Sequence, residues 1–155
     1  MLRSDAVRRE MFHPDEGDVR KYGSGRYSPR ATAAIYAELL RRAEELLISG
    51  ESGILDASWI DASWRAAARV VSFRTGSDFV ELCCQVQPAI AETRIRQRLS
   101  EGLDVSEATP EVRTAMGAVM DPWLSSLVID TTGATSEESA ARALEILGEG
   151  EPSYG

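Results

Sequence analysis

Apolar positions recur along this chain in two rhythms that alternate with one another. From Ser28 to Gly50, the residues Ile35, Leu39, Ala43 and Leu46 fall on one side of a 3.6-residue repeat, which predicts an amphipathic helix with Ser28 as its cap and Pro29 at its first position. A second helix is predicted from Asp61, with Trp64, Ala67, Ala68 and Val71 on one face and Gly76 as its stop. Further helices are expected from Pro88 to Leu99, from Thr109-Pro110 to Met120, and from Thr135 to Gly148, where Glu138 completes a capping box with Thr135. Between them lie short, nearly continuous apolar runs, Gly53 to Ala57, Phe79 to Val86 and Leu127 to Asp130, which read as strands of a parallel sheet covered on both faces. The opening Met1 to Ser4 is a further short strand, followed by a helix from Ala6 to Phe12 with Asp5 as its cap.

Strands that alternate with helices predict an α/β fold built on a parallel sheet with right-handed crossovers. His13 to Tyr27 is rich in Gly, Pro and charge and reads as a functional or disordered loop, and Glu149 to Gly155 as a frayed tail. The quartet Asp56-Ala57-Ser58-Trp59 is echoed by Asp61-Ala62-Ser63-Trp64, which is read as coincidence because it straddles a strand end and a helix start.

Composition narrows the function. With 155 residues the chain is one ordinary domain, and no apolar run approaches the length of a membrane span. The net charge of −8 disfavours nonspecific binding to nucleic acid or anionic lipid. Arginine so outnumbers the single lysine, Lys21, that an isolated Arg says little about anion binding. The two cysteines are the neighbours Cys83 and Cys84, which suits inert packing residues in a reducing cytoplasm rather than a disulfide. One histidine, His13, excludes His/Cys zinc sites and Ser-His-Asp or Cys-His catalysis within the chain.

Candidate chemistry lies at the carboxyl ends of the strands, where parallel sheets bind ligands. Asp5, Asp56 and Asp130 stand at such ends, and the first two converge on one cleft if their strands pair; acids there hold Mg²⁺ or accept a proton from an attacking hydroxyl. An acid after a strand is equally an ordinary helix cap. Arg94 and Arg98 share a helix face that suits a polyphosphate, Arg96 points elsewhere, and a solvated basic face explains all three as well. The tryptophans Trp59, Trp64 and Trp123 are expected in the core or a cleft wall.

Six segments in one order carry a family resemblance: Leu2 to Arg8, Tyr27-Ser28-Pro29 with Tyr36, Gly53 to Trp59 with Arg65, Arg94 to Arg98, Ser106 to Pro110, and Ile129-Asp130-Thr131. Together they resemble the C-terminal ATP-binding domain of bacterial bifunctional aminoglycoside phosphotransferase/ATP-binding proteins. These are P-loop kinases akin to polynucleotide kinase, gluconate kinase and zeta toxin. The resemblance runs from Leu2 to about Leu147 and implies a three-layer P-loop kinase-like domain over 1–148, with 149–155 as a flexible tail. It implies ATP and Mg²⁺ as ligands of the complete domain and a small-molecule hydroxyl as phosphate acceptor. Asp5 matches the general base and Arg8 the residue that holds the transferred phosphoryl group. Asp56 matches the Walker B-like acid that acts through Mg²⁺, and Ser58 and Arg65 match residues lining the acceptor pocket. Arg94 and Arg98 match lid arginines that neutralise the γ-phosphate, and Thr131, Thr132 and Gly133 match the loop flanking the adenine.

The sequence departs from the family at its start. No G-x-x-x-x-G-K-[ST] occurs, and Lys21, between Arg20 and Tyr22, is not a P-loop lysine. The resemblance thus implies a fold lacking its first, central strand, its P-loop and its first helix. Three situations are expected to account for this: a fragment or misassigned start of a longer kinase, a decayed remnant, or a chain completed by a partner that supplies the missing strand. Binding of Mg-ATP to the chain alone is expected to be weak. The alternative to a kinase is a non-catalytic interaction module that self-associates or pairs with a partner through the strand gap. A nucleic-acid reader comes third, opposed by the acidic charge and the absence of aromatics interleaved with bases.

Overall fold

The computed structural model describes residues 1–12, 23, 25–101 and 109–149. Strand β1 (Leu2–Arg3) leads into α1 (Ser4–Met11), and a 3-10 turn at Gly25–Tyr27 precedes the long α2 (Pro29–Ile48). Then follow β2 (Leu55–Asp56), α3 (Ala62–Thr75), β3 (Leu82–Gln85), α4 (Pro88–Glu101), α5 (Pro110–Ala118), β4 (Leu127–Asp130) and α6 (Ser136–Glu149). The architecture is α/β, with small parallel sheets and six α-helices among the described residues. The expected loop from His13, most of the segment Ser106 to Pro110, Lys21 and the tail from 150 lie wholly or largely outside the described residues.

The local signals act as their chemistry requires. Ser28 Oγ accepts from Ala31 N–H with Pro29 at the first helical position, and Thr109 Oγ1 accepts from Val112 N–H ahead of Pro110. The Thr135–Glu138 capping box closes in both directions, at 2.8 and 3.2 Å. Gly76 ends α3 at φ 66°, a left-handed conformation that a Cβ disfavours. One cap differs from expectation: α1 begins two residues earlier, with Arg3 at the cap position and no side-chain bond, so Asp5 sits inside the first turn.

The chain forms two compact units, Met1–Asp78 with Ile95–Pro122, and Phe79–Arg94 with the residues from Trp123 onward. In the first, β1 and β2 pair in parallel, Leu2 opposite Leu55 and Arg3 opposite Asp56. Helix α2 is the spine. Its Ile35 and Leu39 are fully buried with Val7 of α1, and its Leu40 packs with Ala68 and Val71 of α3. Burying an aliphatic side chain of that size contributes about 1.5–3 kcal/mol, so these few residues fix α1 and α3 against α2. Ion pairs Arg42–Glu10 (2.6 Å) and Arg74–Glu44 (3.0 Å) run along the rims of the same contacts.

In the second unit, β3 and β4 pair in parallel from Leu82–Leu127 to Gln85–Asp130, and α6 packs on β4. Two expectations are corrected here. Phe79 to Val86 shortens to four strand residues, and neither strand is covered on both faces: Ile129 is buried, whereas Leu127 and Val128 are about half exposed and Cys84 and Gln85 are exposed. Cys83 and Cys84 are not joined in a disulfide, and one is half-buried and the other exposed, so they are not a buried packing pair. A sheet two strands wide has too little surface to bury both faces of each strand. The described strands accordingly form two two-stranded sheets, not one continuous sheet.

Candidate active site

A cavity of about 420 Å³ opens in the first unit where the carboxyl ends of β1 and β2 lie side by side. Asp5 enters it from the first turn of α1, and Arg8, three residues on, lies on the same helix face. The Arg8 guanidinium stands 4.4 Å from the Tyr27 ring centre, and its Nη1 donates to the Arg26 carbonyl at 2.7 Å. Its Nε is buried without a hydrogen-bond partner among the described residues. Asp56, at the end of β2, reaches the cavity rim and accepts from Arg3 Nε at 3.1 Å, a pairing set by the strand register.

The loop after β2 makes the second wall. Trp59 holds the left-handed conformation at φ 50°, the only positive φ outside glycine among the described residues. Both of its backbone polar groups are taken by buried side chains. Its N–H donates to Tyr36 Oη at 3.0 Å, and its carbonyl accepts from Arg65 Nη1 at 2.6 Å. The Tyr36 hydroxyl also shares a hydrogen with Ser58 Oγ at 3.2 Å, so Ser58 is aimed along the cavity wall. Burial pushes the Tyr36 phenol above its ordinary pKa, more than its bonds to Ser58 and Trp59 lower it, so the group stays neutral. The Tyr36 ring is stacked on Trp64 and edge-on to Trp59, each at 5.2 Å.

Asp61 lines the same cavity and caps α3, its Oδ1 accepting from Ser63 N–H at 2.7 Å. Hydrogen bonds from the Ser63 hydroxyl and then its N–H hold the Asp61 carboxyl below its usual range and keep it ionised. Val112 and Met116 of α5 add apolar surface to the lining.

Of the residues singled out in the sequence, Asp5, Arg8, Asp56 and Ser58 come together around this cavity. Arg65 does not line it: the side chain is buried behind the wall, and its Nη2 donates to the Pro122 carbonyl at 2.7 Å. Arg94, Arg98 and residues 131–133 take no part in the cavity. Arg94 Nη2 donates to the carbonyls of Thr131 (2.8 Å), Thr132 (3.3 Å) and Ala134 (3.3 Å), which ties α4 to the loop after β4. Thr131 and Thr132 are fastened to Gln85 and Gln87, and a Cβ at Gly133 would meet open space. Arg98 lies in the last turn of α4. Asp130 turns back to accept from Thr132 N–H at 2.9 Å; the Thr132 hydroxyl and then this N–H lower its pKa and mark it as a turn acid.

Sequence reasoning passed over Tyr36, Asp61 and Arg3 as functional residues. The signal for Tyr36 was present: Thr32, Tyr36 and Leu40 make a second line beside the Ile35–Leu39 stripe, giving a buried arc wider than one row. Arg3 had no signal, since its role comes only from strand register.

Residues 1–123 match a family model described as AAA domain. Uncharacterized proteins of Mycobacterium tuberculosis and Mycobacterium bovis are each 35% identical over 148 residues, which is 94% of this chain. The chain spans only 29% of the length of these relatives. A crystal structure of a "putative kinase" from Chloroflexus aurantiacus superimposes with a TM-score of 0.67 at 20% identity, over 96% of this chain and 79% of that one. The fold is therefore similar to that of a P-loop-type kinase.

Proposed function

The chain belongs to the AAA domain family, and from that premise we propose that it is the acceptor-binding part of an ATP-dependent small-molecule kinase, which moves the terminal phosphoryl group to a hydroxyl. The observation that supports this reading best is the convergence of Asp5 and Asp56, from two neighbouring parallel strand ends, on one cavity that also holds Arg8. In this reading residues 1–148 work as one kinase-like domain, in the reducing cytoplasm that two cysteines outside any disulfide suit.

Asp5 accepts the proton of the acceptor hydroxyl as its oxygen attacks the γ-phosphorus; the bond to the bridging oxygen breaks and ADP leaves. Arg8 donates to the transferred phosphoryl group, using the Nε that no described residue engages. Ser58 and the Tyr36 hydroxyl orient the acceptor. Arg65 acts through the loop, holding the strained Trp59 so that Ser58 keeps its aim. Asp56 is the residue to hold Mg²⁺. It is exposed at the end of β2, which suits an ion whose remaining ligands are water and phosphate oxygens. When bound, that ion neutralises charge on the phosphates.

For the nucleotide we propose Arg94 and Arg98 at the γ-phosphate and Thr131, Thr132 and Gly133 beside the adenine. The Arg94 Nη2 reaches a phosphate only by releasing its three carbonyls. The G-x-x-x-x-G-K-[ST] loop is supplied, in this proposal, by polypeptide outside these 155 residues, a reading supported by relatives more than three times as long. Mg-ATP therefore binds the isolated chain weakly, and calorimetry showing micromolar affinity would overturn that point. The central test is Asp5→Asn in a longer polypeptide that carries such a loop. A loss of about 100-fold or more in kcat with circular dichroism unchanged is expected. An unchanged rate sinks the general-base assignment.

The second reading, an interaction module completed by another strand, is favoured by the half-exposed Leu127 and Val128 on a sheet only two strands wide. Concentration-dependent dimerisation in analytical ultracentrifugation is its expected sign, and a monodisperse monomer at all concentrations counts against self-pairing. No described helix is long and apolar enough to cross a membrane.

A further inference from the structure

Arg8 meets the residues that precede α2 through two contacts of different kinds. Its Nη1 donates to the Arg26 carbonyl at 2.7 Å, and its guanidinium carbon stands 4.4 Å from the centre of the Tyr27 ring. One hydrogen bond to a carbonyl lets a planar guanidinium pivot about the bonded nitrogen, and a second contact is needed to fix its plane. A carboxylate in the place of Tyr27 would fix that plane, but it would neutralise the charge and take two of the N–H groups. An aromatic face attracts the cation and takes none of them. The buried Nε, which no described residue engages, keeps its hydrogen for another acceptor.

Tyr27 is itself held in place. It closes the Gly25–Tyr27 turn, in which Ser28 N–H donates to the Gly25 carbonyl, and its own carbonyl accepts from Gly23 N–H, both at 3.1 Å. Gly25 sits at φ 52°, a conformation that glycine adopts at no steric cost. The next residue, Ser28, caps α2, and Ile35 and Leu39 of that helix bury Val7, the neighbour of Arg8 in α1. One helix thus sets both the root of the Arg8 side chain and the ring that receives its head. The Arg26 guanidinium, 6.0 Å from the same ring centre, stands at the limit of such a contact, so Arg8 is the cation the ring chiefly serves.

From this arrangement we propose that Tyr27 is a positioning residue for phosphoryl transfer, its ring face holding the Arg8 guanidinium in the plane from which it donates to the transferred group. The proposal rests on the kinase reading for the role of Arg8. It places the effect in the ring, not in the Tyr27 hydroxyl.

The test is made in the longer polypeptide that carries a P-loop. Tyr27→Leu is expected to lower kcat about tenfold and to leave KM for the acceptor within about twofold, the signature of a misplaced group and not of a lost binding contact. Tyr27→Phe, which keeps the ring, is expected to recover most of the rate. Progressively fluorinated phenylalanines at position 27 keep the ring's shape and withdraw charge from its face, so kcat is expected to fall stepwise through that series with circular dichroism unchanged. A loss shared equally by Tyr27→Phe and Tyr27→Leu, or a rate that fluorination does not move, overturns the proposal. A series that moves KM and leaves kcat level places the ring against the acceptor and overturns it too. A longer polypeptide in which even the parent transfers no phosphoryl group sinks the kinase reading and this inference with it, whereas an active parent that Tyr27→Leu does not slow sinks the inference alone.

Discussion

The two Asp-Ala-Ser-Trp quartets, five residues apart, are spelled alike and built differently. In the first, Asp56 ends a strand and pairs with Arg3, Ser58 faces the Tyr36 hydroxyl, and Trp59 takes a left-handed turn. In the second, Asp61 caps α3 and Trp64 lies in the first turn of an ordinary helix. Their surroundings decide. Asp56 has β1 beside it, whereas the second copy runs into Ala66-Ala67-Ala68, a strong helix-forming stretch. Yet both tryptophans reach the same Tyr36 ring, one edge-on and one stacked. An echo that reads as coincidence in the sequence becomes two walls of one cavity around a shared residue.

If Tyr36 joins the two quartets, removing it must damage both. Tyr36→Ala is expected to cost about 3 kcal/mol or more in urea denaturation, the range for deleting a buried aromatic ring, and a loss under about 1 kcal/mol breaks the comparison. The backbone difference is next in size. Glycine relieves the left-handed strain at position 59, worth about 1–2 kcal/mol, but costs about 0.5–1 kcal/mol inside a helix at position 64. Trp64→Gly is therefore expected to destabilise by about 2 kcal/mol more than Trp59→Gly, both having half-buried rings; equal losses would show that φ at 59 carries no strain.

The acids should differ least. Asp61→Ala removes a cap and is expected to cost about 1 kcal/mol, and Asp56→Ala only an exposed ion pair, about 0.5 kcal/mol or less. The Asp61 contribution also depends on pH. Its folded pKa is depressed, so the stabilisation is fully present above the unfolded value near about 4 and is lost as pH falls through the folded value. Acid titration of Asp61→Asn should show a shallower decline in stability below that point, and a decline matching the parent removes Asp61 from the acid response.

Much of the fold was legible because its signals are local. Ser28-Pro29, Thr109-Pro110 and Thr135 with Glu138 cap their helices through bonds spanning two or three residues. Asp5 and Asp56 were legible as strand-end acids sharing a cleft, since parallel pairing puts carboxyl ends together. What escaped depends on contacts distant in sequence. Arg65 looks like a pocket arginine until the carbonyls of Trp59 and Pro122 claim it. The exposure of Cys84 and Val128 follows from sheet width, which residue identity does not encode.

The bonds that join residues 60–65 to residues 121–122 bear on how quickly the protein comes apart. Asp121 N–H donates to the Ile60 carbonyl and Asp121 Oδ2 accepts from Ala62 N–H, both at 2.8 Å, while Arg65 reaches Pro122. Each of these contacts closes a loop of more than fifty residues, an entropic cost that local helix formation does not share. They are expected to form late in folding, after α2 and α3 have met. Loosening this seam is expected to accelerate unfolding while leaving the refolding rate nearly untouched, so it acts as a latch on the native state's lifetime.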